Sequence, residues 1–325
     1  MRYARCMSSS LNGETPASPA PATRLGVLGL GAMGAPMAQN LLAARRHLVV
    51  QARSPRPDLV AAGATWTDTP RELAAATDAI LVMLPDLPEL EAALDGPDGL
   101  LAGIPDGGGL LLMIGSTSSP TGVRALAERL ASVPGRRIEV VDCPVSGGVD
   151  GATAGTLSIM IGGDEDAAAR AAALLAPCGT PVRLGPLGAG EVAKACNQLV
   201  VAATITALGE ASELAARSGI DLDTLWTLLG GGYAGSNLLT SRKDRLVAGD
   251  DSPSGAAKYM VKDLRFAADV ARATDIRPAL IPALQSIFDE IVDAGLGDRD
   301  LSVTRRLTAN RHTNPGTAPA VYAES

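Results

Sequence analysis

The most restrictive feature of this chain is an alternation between Arg24 and about Gly185. Short apolar runs of β type there take turns with Ala/Leu-rich helical stretches. The strand-like runs are residues 25–30, 48–53, 79–84, 110–115, 138–142 and 157–161. Parallel strands need a crossover between them, so this alternation predicts βαβ units and a mostly parallel, doubly wound sheet. From Gly188 the pattern changes. Residues 191–217 read as one long Ala-rich helix ended near Gly219, and helical segments follow at 223–229, 236–246, 256–273 and 278–293. The expected fold is an α/β Rossmann-type N-terminal domain, plus an all-α C-terminal domain joined by a long interdomain helix. Residues 1–23 read as a Ser/Pro/Ala-rich disordered extension, 24–187 as a dinucleotide-binding domain and 188–307 as a helical substrate and oligomerisation domain. Residues 308–325 read as a loose tail.

Composition narrows the chemistry. The chain has 325 residues, a net charge of −7, and only two histidines, His47 and His312. Its lysines number four: Lys194, Lys243, Lys258 and Lys262. A Ser-His-Asp triad or a multi-histidine metal site starts with almost no material, so no metal is expected and something other than histidine should move a proton. The acidic balance offers no basic footprint for nucleic acid. No run approaches the roughly 18 uninterrupted apolar residues of a membrane span. Cys6, Cys143, Cys178 and Cys196 are widely spaced without CxxC pairs, which suits reduced thiols and a cytoplasmic setting.

The first run leads into Gly29-Leu30-Gly31-Ala32-Met33-Gly34, followed by a helical stretch. In that context Gly29 permits the tight turn, and Gly31 lets backbone N–H groups approach a pyrophosphate. Gly34 lets helix and strand pack closely, and the helix N-terminus favours the anion. The end of the second strand selects between nicotinamide cofactors. It carries no carboxylate for a ribose 2′-hydroxyl but reads Gln51-Ala52-Arg53-Ser54-Pro55-Arg56. Arg53, with Ser54 and Arg56 assisting, suits a 2′-phosphate, so NADP is preferred over NAD. Met83-Leu84-Pro85 and Ser116-Thr117 lie at carboxyl ends of expected strands, where ligands sit in open α/β sheets. Ser146-Gly147-Gly148 offers a hydroxyl and closely spaced amides, a cradle for a substrate carboxylate.

The segment Gly188-Ala-Gly-Glu-Val-Ala-Lys194-Ala-Cys-Asn197-Gln198 places a lysine near the start of an otherwise apolar helix. Lys194 and Gln198 share one helix face at i and i+4, with Asn197 adjacent. A desolvated lysine has its pKa lowered toward neutrality, and the helix N-terminus is expected to push the same way.

With these motifs in hand, the chain from Arg24 to Leu307 resembles the β-hydroxyacid dehydrogenases, the family that includes 3-hydroxyisobutyrate dehydrogenase and tartronate semialdehyde reductase. The resemblance rests on GLGAMGAPMAQNL, VMLP, DCPVSGG with GTLSIMIGG (155–163), GAGEVAKACNQ, VKDL (261–264) and GLGDRDLS (295–302). It implies that Lys194 is catalytic and that Ser146, Gly147 and Gly148 hold the substrate carboxylate. It also implies that Lys262 and Asp263 help close the wall over nicotinamide and substrate. Most relatives have Asn where this chain has Gln198. That form, with GGGYAGSN (230–237), looks more like the tartronate semialdehyde reductase branch, the alternative being 3-hydroxyisobutyrate dehydrogenase. Imine reductases share the architecture but usually lack the lysine. A cofactor-binding sensor or scaffold would tend to lose the lysine or the Ser-Gly-Gly cradle, and both are present. The family also suggests a small carboxylate-bearing substrate and a homodimer or homotetramer.

Overall fold

The computed structural model describes residues 23–44 and 47–313. The expected extension at 1–23 lies almost wholly outside the described residues. Nine strands form one sheet: β1 (Leu25–Leu28), β2 (Val49–Gln51), β3 (Thr65–Trp66), β4 (Ala79–Val82), β5 (Gly109–Ile114), β6 (Arg137–Asp142), β7 (Val145–Ser146), β8 (Leu157–Gly162) and β9 (Gly179–Gly185). Their order is β3-β2-β1-β4-β5-β6-β8-β7, with β9 paired to β8. Pairings from β3 through to β6 are all parallel, whereas β8 runs antiparallel to β6 and β7. β1 lies between β2 and β4, so the chain order reverses there, at the point where open α/β sheets bind ligands.

The apolar alternation within strands supplies two cores. In β5, Leu111 and Met113 face a cluster with Val27, Met37, Leu41 and Ile161. Leu110, Leu112 and Ile114 face the other cluster with Ile80, Leu90 and Val123. Both faces are covered by helices, as a parallel sheet requires. The strands β3, β7 and β9 were not among the expected runs. β3 and β7 are two residues each, too short for a period, and β9 (GTPVRLG) carries a proline and no fully buried residue.

The interdomain helix spans Ala189–Arg217 and begins two residues earlier than expected. It is long and apolar enough to cross a bilayer by length and composition. Here it is instead the central post of the helical region. Helices Leu222–Gly230, Asn237–Ala248, Tyr259–Ala273 and Leu280–Asp293 complete that region around a third core containing Ile205, Trp226, Leu264 and Phe288.

One further helix, Val303–Thr313, occupies the start of the segment expected to be a loose tail from Thr308. Its sequence is polar, so periodicity missed it. It is anchored by buried Val303 and Leu307 and by Thr304 Oγ1 donating to Ile205 O at 3.0 Å. Salt bridges Arg306–Asp251 (2.7 Å) and Arg311–Glu290 (2.6 Å) add to this.

The interdomain helix meets the sheet through glycine. A Cβ on Gly190 would lie inside van der Waals contact of Met160 O and 2.8 Å from Asp142 Oδ2. Both neighbours are fixed by the fold and neither can give way. Gly190→Ala should therefore destabilise the protein by about 2 kcal/mol or more, read as a lowered denaturation midpoint. An unchanged midpoint would mean that helix and sheet are not held at this separation.

Candidate active site

The glycine loop behaves as its residue types require. Gly29 has φ +95°, and a Cβ there would strike Met83 O. A Cβ on Gly34 would overlap Gly29 O, so helix Gly34–Ala44 starts tight against the turn. Gly31 faces open space, with nothing within 4 Å of its would-be Cβ. Met83, Leu84 and Pro85 follow β4, and buried Ser116 with half-buried Thr117 follows β5, along the same edge of the sheet. Ser116 Oγ and Ser118 Oγ are buried without hydrogen-bond partners among the described residues, donors that a bound ligand could satisfy. The open approach at Gly31, the helix N-terminus and these orphaned hydroxyls fit a dinucleotide.

Arg53 and Ser54 are exposed just beyond β2. Arg56 is not free to assist them. It is tied to Asp58 at 2.8 Å and donates from Nη1 to Leu30 O at 3.0 Å, bracing the glycine loop instead.

At the start of the interdomain helix a connected polar network forms. Lys194 is 7% exposed, and its Nζ donates to Gln198 Oε1 at 2.9 Å. Asn197 Nδ2 donates to the same oxygen at 2.9 Å, and Ser146 Oγ donates to Asn197 Oδ1 at 3.0 Å. Gln198 Nε2 donates to Asp263 Oδ2 at 2.5 Å. Lysine ammonium only donates and carboxylate only accepts, so the Gln198 amide has one workable orientation. From the helix Tyr259–Ala273, Lys262 Nζ pairs with Asp263 Oδ1 at 2.9 Å and donates to Thr117 O at 2.7 Å. The structure thus brings Ser146, Lys194, Asn197, Gln198, Lys262, Asp263 and Thr117 into one constellation between the sheet and the helical region. Gly147 (φ +135°) and Gly148 (φ +64°) are exposed beside it. Both adopt backbone conformations that favour glycine.

Sequence reasoning passed over the two carboxyls beneath this network. Asp142, at the end of β6, is fully buried and accepts the N–H groups of Gly188 and Glu191, each at 2.7 Å. Glu191 is 1% exposed and accepts the N–H of Ser118 at 3.0 Å. A charged residue inside an apolar strand or an Ala-rich helix was the available signal. Asp142 also alters the expected electrostatics, because its carboxyl covers the helix N-terminus that was expected to depress the Lys194 pKa. The pKa of Lys194 is lowered mainly by burial, as expected of a desolvated lysine, while the Asp263 and Glu191 carboxylates oppose this and Lys262 adds to it. The histidines stand apart: His47 is exposed ahead of β2, at the end of that strand opposite the glycine loop, and His312 lies in the last helix.

Comparison with known proteins now decides the family. Residues 24–188 match the family described as the NAD binding domain of 6-phosphogluconate dehydrogenase. Residues 188–308 match the one described as NAD-binding of NADP-dependent 3-hydroxyisobutyrate dehydrogenase.

The chain is a β-hydroxyacid dehydrogenase family member.

It is 34% identical over 281 residues to 2-hydroxy-3-oxopropionate reductase of Escherichia coli, covering 86% of this chain and 94% of that protein. It is likewise 34% identical over 294 residues to an NAD-dependent L-serine dehydrogenase of Pseudomonas aeruginosa, covering 87% and 97%. The crystal structure of 3-hydroxyisobutyrate dehydrogenase from Salmonella typhimurium superposes with a TM-score of 0.78 at 29% identity, over 88% of this chain and 99% of that one. Like other β-hydroxyacid dehydrogenases, this chain is an NAD(P)-dependent oxidoreductase.

Cofactor preference can be read directly. Arg53→Ala should weaken NADPH binding by about tenfold or more and leave NADH nearly unchanged, measured by titrating protein fluorescence with each nucleotide. Equal weakening of both would remove Arg53 from 2′-phosphate recognition.

Proposed function

We propose that this β-hydroxyacid dehydrogenase interconverts a small 2- or 3-hydroxy acid and its oxo acid, with reduction of 2-hydroxy-3-oxopropionate (tartronate semialdehyde) as the preferred reaction. The reading rests on the buried Lys194 bonded to Gln198, set between the Ser146-Gly147-Gly148 turn and the Lys262–Asp263 pair. Gln198 and the segment 230–237 favour this substrate over 3-hydroxyisobutyrate in our reading; relatives at 34% identity include a reductase of this compound and an L-serine dehydrogenase.

When bound, the nicotinamide cofactor supplies or takes the hydride. Residues 29–34, Met83, Leu84, Pro85, Ser116 and Thr117 would hold it, with Arg53 and Ser54 at the 2′-phosphate and Lys262 and Asp263 closing the far wall. The remaining steps belong to side chains of the chain. The Gly147 and Gly148 amides anchor the substrate carboxylate, and the Ser146 hydroxyl, which donates to Asn197 Oδ1 in the free protein, turns its proton to the carboxylate when substrate binds. Gln198, held by Asp263, takes one N–H of Lys194 and leaves the others free for the substrate carbonyl oxygen. In reduction the Lys194 ammonium donates its proton as negative charge develops on that oxygen; in oxidation the neutral amine accepts the hydroxyl proton. Burial lowers the lysine pKa and so narrows the free-energy gap between the ammonium and the neutral amine. The sign follows: reduction should slow, and oxidation quicken, as pH rises through that lowered value.

A panel of C3–C5 hydroxy and oxo acids, followed by nicotinamide absorbance with both cofactors, tests the substrate. Turnover highest with tartronate semialdehyde is expected, and no turnover on any member would overturn the reading. Lys194→Ala should keep cofactor affinity while turnover falls by about 10²–10⁴-fold. Wild-type turnover in that variant would disprove the assignment of the proton donor.

A further inference from the structure

The motif at 295–302 and the helix that follows segment 230–237 take no part in the steps above, and one arginine joins them. Arg242, from helix Asn237–Ala248, has a side chain only 13% exposed, with Nε 3.3 Å from Asp300 Oδ1. Asp300 belongs to that motif and is fully buried. It is itself held in place: its backbone N–H donates to Asp251 O at 3.2 Å, and Oδ1 accepts the Ser302 N–H at 3.0 Å. The inner end of the guanidinium is therefore fixed by charge. The outer end reaches toward the sheet domain. There Nη1 comes within 3.9 Å of Oδ2 of Asp150, in the first turn of helix Gly148–Ala154. That helix begins at the Ser146-Gly147-Gly148 turn, so Arg242 meets the carboxylate cradle from across the cleft.

The donors of this arginine are poorly used. Nε is buried without a hydrogen-bond partner among the described residues, so its contact with Asp300 is an ion pair and not a hydrogen bond. Nη1 donates to Ser241 O at 3.2 Å, and Asp150 is too far away to accept from it. A guanidinium carries five N–H donors in a planar fork, so most of the fork remains open. Other arginines of the helical region are closed by their neighbours: Arg245 donates to Ser252 O at 2.9 Å and Arg306 to Asp251 Oδ1 at 2.8 Å. The Asp150 side chain is 82% exposed, so water competes for it and a better-placed anion can replace it. Two helical residues rise about 3 Å, so an arginine near Asp150 is also near a ligand seated on the Gly148 amide. The turn itself offers that ligand only neutral donors, whereas a guanidinium adds charge-assisted ones.

We propose that Arg242 is a substrate-binding residue that completes the carboxylate site. Its Nη donors take, from the helical region, the carboxylate that Gly147 and Gly148 hold from the sheet domain, in place of Asp150. Asp300 keeps the guanidinium in position. The inference deepens the proposed reaction and rests on the carboxylate being held at these glycines. It assigns the site to anionic oxo acids over neutral carbonyl compounds of similar size.

Tartronate tests this without turnover, because it has no carbonyl to reduce. Its binding to the protein saturated with NADPH is measured by titration calorimetry. Arg242→Gln should raise the Kd for tartronate by about 10–100-fold and leave the affinity for NADPH unchanged. In turnover, KM for tartronate semialdehyde should rise by a similar factor with kcat nearly constant, while KM for neutral glycolaldehyde stays in place. Should Arg242→Gln not fold because Asp300 is left buried without its counter-charge, the paired change Arg242→Gln with Asp300→Asn removes both charges together. It keeps an acceptor for Ser302 and gives the same comparison. Wild-type affinity for tartronate in a folded variant, or no tartronate binding by the wild-type protein, would overturn the proposal. Weakened tartronate binding in an enzyme inactive on every hydroxy and oxo acid would instead retain the Arg242 site and reject the reaction.

Discussion

The site depends on one interaction: the Asp142 carboxyl at the end of β6 receives the N–H groups of Gly188 and Glu191 at 2.7 Å each. A helix start leaves its first N–H groups without intrahelical partners, and a buried helix start needs acceptors from elsewhere. Asp142 supplies them from the sheet and so fixes where a 29-residue helix begins. Gly190 permits the approach, because a side chain there would collide with β8 and with Asp142 itself. Lys194 is four residues further on, so its position over the carboxyl ends of the strands is set by this junction. Burial pushes the Asp142 carboxyl above the usual carboxylate range, and the N–H bonds from Gly188 and Glu191 offset only part of that rise.

From this anchor the polar network runs outward in a fixed direction. Lys194 and Asn197 donate to one oxygen of Gln198, and Gln198 donates to Asp263. Asp263 pairs with Lys262, which bonds Thr117 on the opposite side. Groups from the sheet, the interdomain helix and the helical region therefore hold one another in place. A change at any of them reaches Lys194 through one to four hydrogen bonds. Such networks stabilise as a unit, and single-residue losses there should not add.

Much of this was legible in the sequence because the signals were local. The glycines at 29, 31 and 34 answer to backbone geometry, and the Lys194–Gln198 pair answers to helical spacing, so residue type and register sufficed. The ordered motifs carried the family resemblance for the same reason. What escaped depended on contacts distant in sequence. The helix Val303–Thr313 has little apolar periodicity and is held by Thr304 reaching Ile205 and by arginine pairs to Asp251 and Glu290. Arg56 looked available until the fold brought it to Leu30 O and its neighbour Asp58. Asp142 and Glu191 were given no role by the sequence. Their importance appears only when β6, the loop after β5 and the helix start meet.

In the proposed reaction Lys194 protonates the carbonyl oxygen of a small oxo acid while the carbonyl carbon takes a hydride from the bound nicotinamide. The most direct measurement supplies NADPH deuterated at nicotinamide C4 and locates the label in the product by NMR. With the wild-type protein, deuterium is expected on the new carbinol carbon of the hydroxy acid. Product without deuterium, from either C4-labelled epimer of the cofactor, would contradict it.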